Sequence, residues 1–182
     1  FRPEADVVAW ARPSCDEPLP EPGRRRALAG DQLTADADPP EHPAAAAGGG
    51  WQASRMDERR LSDGVVRLRR WQPPDAGWYA ETAAVDPLIQ RFTSESPTVT
   101  AEQVRAAIAD LAGRPNAAGF LICDAGTGAR LGNIALDHQD RIGHVSYWLA
   151  ADARGRGAAT RALRLFADWA FESLDLTELR LW

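Results

Sequence analysis

Residues 147–160 read Tyr-Trp-Leu-Ala-Ala-Asp-Ala-Arg-Gly-Arg-Gly-Ala-Ala-Thr. An apolar strand ends at Leu149, and from Gly157 to Leu174 apolar side chains recur at helical spacing. The stretch therefore predicts a strand, a short connector, a turn of glycine and arginine, and a helix. Because the first turn of a helix presents N–H groups without intrahelical partners and a partial positive charge, this arrangement can bind a diphosphate.

The glycines and arginines of the turn suit a phosphate ligand. Gly155 and Gly157 permit positive φ and lack the Cβ that would keep a phosphate away from the backbone. Arg154 and Arg156 can add charge-assisted hydrogen bonds. These residues, with the small alanines that follow them, form the predicted anion site.

The segments on both sides of this turn predict an α+β fold. Tight turns at residues 125–128 and at Asp140 join three strands directly, which is typical of an antiparallel meander and not of parallel strands with helical crossovers. The expected order is strand, two helices, three strands, helix, strand, in a mixed and mostly antiparallel sheet with flanking helices. The predicted strands cover residues 65–71, 119–124, 131–139, 142–149 and 177–181, and the predicted helices cover about 75–85, 100–112 and 157–174.

Local signals mark the first predicted helix and the segment after it. Asp75 follows two prolines and is a candidate cap for this helix, and Asp86-Pro87 is expected to end it. Residues 89–99 are predicted to form a loop with Phe92 as its anchor. The next helix begins with a candidate capping box, which Thr100 and Gln103 would form.

Residues 1–55 differ in composition from the rest of the chain. They hold eight of the 13 prolines and a run of alanine and glycine at 45–50, without a sustained period of 2 or 3.6. Such a segment is not expected to fold alone and is predicted to be disordered. Because periodic sequence begins just after Met56, an alternative hypothesis is that Met56 is the native start and the preceding residues are a translated upstream region. The folded domain is predicted at residues 56–182.

Charge and composition favour some function classes over others. The formal net charge of −5 argues against general attraction to nucleic acid or anionic lipid. Cys15 and Cys123 are too few and too far apart for a disulfide framework or a metal site. No apolar run approaches the roughly 20 residues of a membrane span. A cytoplasmic protein without a metal is expected, as a monomer or homodimer.

The spacing Arg154-x-x-Gly157-x-Ala159 resembles the acetyl-CoA turn of the GNAT superfamily of N-acetyltransferases. Residues 147–149 and 160–163 around it resemble the branch of ribosomal-protein N-terminal (RimJ/RimL-like) acetyltransferases, as do residues 61–69 and 86–87. The resemblance covers residues 61–182 and implies the same order of elements as the periodicity. A GNAT fold is therefore expected.

This resemblance implies acetyl-CoA as cosubstrate and a primary amine as acceptor. In the family the strands here at residues 141–149 and 177–181 separate, and the pantetheine arm lies in the opening. The resemblance assigns the arm to the backbone of Trp148 and Leu149. It assigns the pyrophosphate to the amides of the turn and first helical residues, which are Arg156, Gly157, Ala158, Ala159 and Thr160.

Acetyl transfer needs a route for the amine proton. The available groups are His144 on the predicted strand before the turn, and His138 or Asp137 on the preceding strand. Histidine titrates near neutral pH, which suits a base. For each of the three, the alternative is a residue without a catalytic role. The acceptor pocket is expected to include part of residues 78–93.

The chain departs from the family pattern because it stops where a further helix and two strands are expected. We therefore expect a truncated domain that is inactive as a fragment. One alternative is a non-catalytic acyl-CoA-binding or regulatory module. A dinucleotide-binding enzyme is disfavoured because the third glycine of its fingerprint is replaced by Thr160. An RNA-binding role is disfavoured because the Arg-Gly pairs lack interleaved aromatic residues.

Overall fold

The computed structural model describes residues 61–93 and 95–181. The predictions for residues 1–55, and for Met56 as the native start, lie outside the described residues. The strands are β1 (Val66–Arg70), β2 (Ala117–Asp124), β3 (Arg130–Gln139), β4 (Ile142–Leu149) and β5 (Glu178–Leu181). The helices are α1 (Ala76–Val85), α2 (Pro87–Thr93), α3 (Ala101–Leu111) and α4 (Ala158–Leu174), with 3-10 turns at Pro73–Asp75 and Ala151–Ala153.

The five strands form one sheet in the order β1-β2-β3-β4-β5. The first four strands pair antiparallel, and β4 pairs β5 in parallel. Helices cover both faces of the sheet, so β2 is buried along almost its whole length instead of alternating. The predicted α+β fold and its mixed sheet with flanking helices are confirmed.

Each face of the sheet packs against its own hydrophobic cluster. The cluster under α4 includes Phe166 and Phe120, whose rings meet edge to face with centroids 5.7 Å apart. The cluster under α1, α2 and α3 includes Tyr79, Val104 and Trp148. Because side chains alternate along a strand, neighbouring residues of β3 and β4 point into different clusters.

The prediction of a loop at residues 89–99 is wrong in its first half, where α2 forms. Pro87 takes the first helical position, where a missing N–H costs nothing, and Asp86 Oδ1 accepts from Leu88 N at 3.0 Å as an N-cap. Phe92, the predicted anchor, is 70% exposed, whereas Ile89 is buried. The dipeptide that ends α1 therefore also starts α2.

Asp75 occupies the N-cap position of α1, as predicted, but its side chain makes no capping hydrogen bond to that helix. Its buried carboxylate instead accepts from Arg69 at 2.7 and 2.9 Å, from Arg130 at 2.9 Å and from the N–H of Gln72 at 3.0 Å. Burial alone would raise the pKa of this carboxyl, but these hydrogen bonds outweigh it and hold the pKa at about 2.

The capping box before α3 is confirmed. Thr100 accepts from Gln103 N at 3.2 Å, and the Gln103 side chain accepts from Thr100 N at 2.7 Å. Two donors that the helix start would leave without partners are thereby satisfied. The helix buries Val104, Ala107 and Leu111 against the sheet, on the stripe that helical spacing defines.

Candidate active site

The turn between β4 and α4 brings two glycines into the left-handed region. Gly155 has φ 75°, and Gly157, the N-cap of α4, has φ 75° and ψ 6°. A Cβ added at either position would meet no atom within 4 Å, so no neighbouring atom crowds these positions. The space in front of both glycines is therefore open to a ligand, and the left-handed backbone favours glycine.

The start of α4 is an uncompensated helix N-terminus. The first bond of the helical ladder runs from Arg161 N to Gly157 O at 3.2 Å, so the amides of residues 158–160 precede it. No side chain caps this end, and its first turn holds no acidic residue. Arg156 is exposed beside it. Among the described residues, the one carboxylate paired with this first turn is that of Asp63, which accepts from Arg161 at 2.7 Å. The amides of residues 158–160 have no side-chain cap, so they are suited to an anionic ligand.

Arg154 lies in the same turn but points elsewhere. Its Nε donates to Leu149 O at 3.0 Å, and its Nη2 donates to Asp86 Oδ2 at 2.5 Å. Both contacts lead back to the body of the protein, to the end of β4 and the junction of α1 and α2. A phosphate contact by the Arg154 side chain stays a prediction.

The two halves of β4 have different neighbours. Residues 142–145 pair β3 on one side and Glu178–Leu181 of β5 on the other. Residues 146–149 pair only β3 among the described residues, and they lie next to α2. At this end β3 approaches β4 so closely that a Cβ on Gly132 would lie 2.1 Å from Trp148 O. Within residues 61–93 and 95–181, this half of β4 therefore pairs with one strand only, and Arg154 donates to Leu149 O at its end.

Trp148 and Leu149, predicted to contact the pantetheine arm through their backbone, lie on this open half of β4. Their side chains enter opposite clusters, Trp148 with α1 to α3 and Leu149 with α4. Both side chains are buried, at 4% and 8% exposure. The indole Nε1 of Trp148 is buried without a hydrogen-bond partner among the described residues. The backbone of both residues lies at the end of β4, directly before the turn.

Two of the three candidate bases share one face of the sheet. Asp137 on β3 and His144 on β4 are register partners, and both alternate onto the side of α1 to α3. Arg114 donates to Asp137 Oδ1 at 2.6 Å. Burial raises the pKa of the Asp137 carboxyl, although Arg114 and the nearby histidines pull it down. A partly desolvated carboxylate thus lies opposite the imidazole of His144.

His138, the third candidate, is separated from this pair. It lies opposite Gly143, and side chains on that face of β3 and β4, such as Leu136 and Val145, belong to the cluster under α4. Its Nε2 is buried without a hydrogen-bond partner among the described residues. The sequence offered the three candidates together, and the sheet divides them because residues 137 and 138 alternate.

Sequence reasoning missed an aromatic cluster on the face of Asp137 and His144. The ring of Trp78 stacks on Trp71 and on Trp148, with centroids 6.3 and 5.7 Å apart. Tyr79 meets Trp71 and Trp148 edge to face, and its hydroxyl donates to the buried carboxylate of Glu95. The spacing of Trp78 and Tyr79 in a helix signalled only a packed face, since the partners are distant in sequence.

The described ranges contain neither a candidate membrane-spanning helix nor a candidate metal cluster. None of the helices at residues 61–93 and 95–181 is both long and apolar enough to span a bilayer. Within the same ranges, no group of three or more histidine, cysteine, aspartate or glutamate residues could hold a metal ion.

Residues 66–181 match the model of a protein family described as "Acetyltransferase (GNAT) domain". A spermidine N-acetyltransferase from Vibrio cholerae, solved with CoA and spermine, superposes with a TM-score of 0.59 and 16% identity, over 65% of this chain and 71% of that one. A ribosomal-protein-S5-alanine acetyltransferase from Vibrio fischeri superposes with a TM-score of 0.55 and 19% identity, over 64% of this chain and 69% of that one. A ribosomal L7/L12 alpha-N-protein acetyltransferase superposes with a TM-score of 0.57 and 15% identity, over 66% of this chain and 68% of that one. None of the curated proteins matches the sequence. At these identities the superpositions support the fold alone.

Proposed function

Because the chain belongs to the GNAT acetyltransferase family, we propose that it transfers the acetyl group of acetyl-CoA to a primary amine. The observation that carries this proposal is the N-terminus of α4, which two left-handed glycines precede and whose first turn has no side-chain cap and no acidic residue of its own. The acceptor belongs on the side of α1 to α3, where the aromatic cluster and the Asp137–His144 pair lie.

We assign the coenzyme to the turn and to the open half of β4. The amides of Arg156 to Thr160 would hold the diphosphate, with the exposed guanidinium of Arg156 beside it. The backbone of Trp148 and Leu149 would bind the pantetheine arm. From Leu149 back to Ser146 the open half of β4 runs three residues, roughly 10 Å at about 3.3 Å per residue. The thioester would then lie near the end of this open half, two residues from His144.

We assign the proton transfer to His144, with Asp137 as its orienting partner. The amine nitrogen attacks the thioester carbonyl carbon, a C–N bond forms, and the C–S bond breaks as the thiolate leaves. His144 takes the proton from the amine, directly or through one water. The raised pKa of Asp137 has burial as its main cause. A partly buried carboxylate interacts more strongly with a protonated neighbour than an exposed one does, so in this proposal Asp137 stabilises the imidazolium that forms.

The proposed acceptor class rests on similarity to other proteins. Two of the superposed proteins are ribosomal-protein acetyltransferases and one is a spermidine N-acetyltransferase. We propose the ribosomal-protein branch, with a protein N-terminus as acceptor, because of the motif around the turn. Small-molecule amines are the alternative acceptors. In this proposal, residues 78–93 contribute to the acceptor pocket. The acetyltransferase domain comprises residues 56–182, and the protein acts in the cytoplasm.

The experiment is release of free CoA thiol from acetyl-CoA in the presence of an amine panel. The panel contains spermidine, an aminoglycoside, and peptides that begin with serine or alanine. Turnover that depends on one of these amines, with acetylated product detected by mass, supports the proposal. Calorimetry with CoA is run beside it on the same preparation.

The two measurements separate the proposed enzyme from its alternatives. CoA binding without turnover on any amine, also in a chain extended at its C-terminus, would favour a non-catalytic acyl-CoA-binding module. Turnover only in the extended chain would support the expected truncation. Neither binding nor turnover in either chain would overturn the proposal.

A further inference from the structure

One arginine connects three parts of the candidate site. Arg154 belongs to the phosphate turn, its Nε donates to the last carbonyl of β4 at Leu149, and its Nη2 donates to Asp86 between α1 and α2. The arginine side chain is 32% exposed and the aspartate side chain 8% exposed. The planar guanidinium holds both acceptors in fixed directions, which a flexible ammonium could not do.

Asp86 divides its two carboxylate oxygens between the arginine and a helix. Oδ2 accepts from Arg154, while Oδ1 accepts from the N–H groups of Leu88 at 3.0 Å and Ile89 at 3.4 Å, at the start of α2. Ile89 is buried at 1% exposure, so α2 is fixed to the core at the same point. A displacement of the turn is therefore transmitted through one carboxylate to α2.

We propose that Arg154 is a positioning residue that couples the coenzyme turn to α2 on the amine side, and that it is not a ligand of the diphosphate. This inference rests on the proposed function. Arg156 and the helix amides then bind the phosphates, and Arg154 sets where they stand relative to the acceptor pocket. Loss of the link lets the turn and α2 move independently, which weakens coenzyme binding and amine binding together.

The two roles for Arg154 make opposite predictions for Asp86→Asn. Asparagine keeps the Oδ1 acceptor that caps α2 but places an NH₂ group opposite the arginine. If Arg154 positions the turn, this variant weakens CoA binding. If Arg154 binds phosphate, this variant frees its guanidinium, and CoA binding is unchanged or tighter.

The experiment is a double-mutant cycle of Asp86→Asn and Arg154→Gln on the full chain, with CoA affinity measured by calorimetry. Contacting residues couple by about 0.5–3 kcal/mol, and if each single variant loses that coupling, it should bind CoA about twofold to 150-fold more weakly. The double variant is expected to be no weaker than the weaker single variant. Full additivity, or unchanged affinity in Asp86→Asn, overturns the inference.

Kinetics supply a measure that a merely structural role would not move. Both single variants should raise the KM for the amine by similar factors while kcat changes less. Arg154→Lys should recover part of the loss, because it keeps the charge facing Asp86 with a single donor group. A fall in kcat alone, with both affinities intact, contradicts the inference.

Asp175→Asn is the matched control. Asp175 pairs with Arg141 in an exposed ion pair at 2.9 Å and has a left-handed backbone that asparagine tolerates. It removes the same charge, and CoA affinity should stay within about twofold. Thermal unfolding verifies that every variant is folded. A wild type that binds no CoA overturns the proposed function and this inference with it, whereas a binding wild type with an unaffected Asp86→Asn overturns the inference alone.

Discussion

The two faces of the sheet differ in the kind of side chain that they bury. Under α4 the core is aliphatic and aromatic, with Phe166 and Phe120 at its centre. On the side of α1 to α3, tryptophans and a tyrosine pack among polar groups. Four polar residues of the described ranges are buried, and each borders α1, α2 or their aromatic cluster: Asp75, Asp86, Glu95 and Asn133.

The two faces therefore contribute differently: the buried polar groups orient the side chains of the candidate site, whereas the apolar face mainly stabilises the fold. A buried polar group costs free energy unless a partner satisfies it, so each such group fixes the geometry of its partner. Trp71 is held by Asn133 at 3.1 Å, and the turn before α4 is held through Arg154 by Asp86. Apolar packing under α4 contributes stability without specifying directions. Substitutions on the two faces should therefore have different signatures.

The largest effect is expected for Phe166→Ala under α4. Phe166 is 1% exposed, and its ring lies against Phe120 and Trp169. The cavity should lower the free energy of unfolding by about 3–5 kcal/mol. Urea denaturation measures this loss. At a temperature where the variant is folded, its KM values for amine and acetyl-CoA should stay near wild type, and a large selective change in either would contradict the separation of the two faces.

A second comparison sets His144 against His138, which lie on opposite faces of neighbouring strands. His144→Gln should lower kcat by about a hundredfold or more, in the range for loss of a general base, with CoA affinity unchanged. His138→Gln should change kcat less than about threefold. Steady-state rates of thiol release across pH test both. Equal losses in the two variants would remove His144 from its proposed role.

A smaller effect is expected from Asp75, whose pKa is held at about 2 against an ordinary value of 3.8. Because the folded pKa is the lower one, its stabilisation is present above about pH 4 and is lost as pH falls toward 2. Asp75→Asn should cost about 1–3 kcal/mol at pH 7. The difference from wild type should shrink steadily as pH falls to 2, where the folded-state carboxyl is about half protonated. Unfolding curves from pH 7 to pH 2 check this, and a constant difference would be the contrary result.

Much of the fold could be predicted because its signals are local. The stripe of α4, the capping box at Thr100 and the tight turns between β2, β3 and β4 all lie within a few residues of the elements they define. The turn at Gly155 and Gly157 was predicted for the same reason. The start of α2 was also readable, since Asp86 and Pro87 suit the N-cap and first helical position.

The polar partners could not be predicted because they join distant residues. Arg130 reaches Asp75 across 55 positions, Asn133 reaches Trp71 across 62, and Arg154 reaches Asp86 across 68. No periodicity connects such residues. For this reason the sequence did not show that Asp75 binds two arginines or that Arg154 donates to Asp86.

The most direct measurement of the central claim compares Gly157→Asp with Gly157→Asn by CoA calorimetry. Both side chains have nearly the same shape and accept a left-handed backbone better than other residues, so strain at φ 75° affects them alike. A carboxylate in front of the helix N-terminus repels a diphosphate by roughly 1–4 kcal/mol. The account predicts wild-type binding and at least about tenfold weaker binding of the aspartate variant than of the asparagine variant. Equal CoA affinity in the two variants would contradict it.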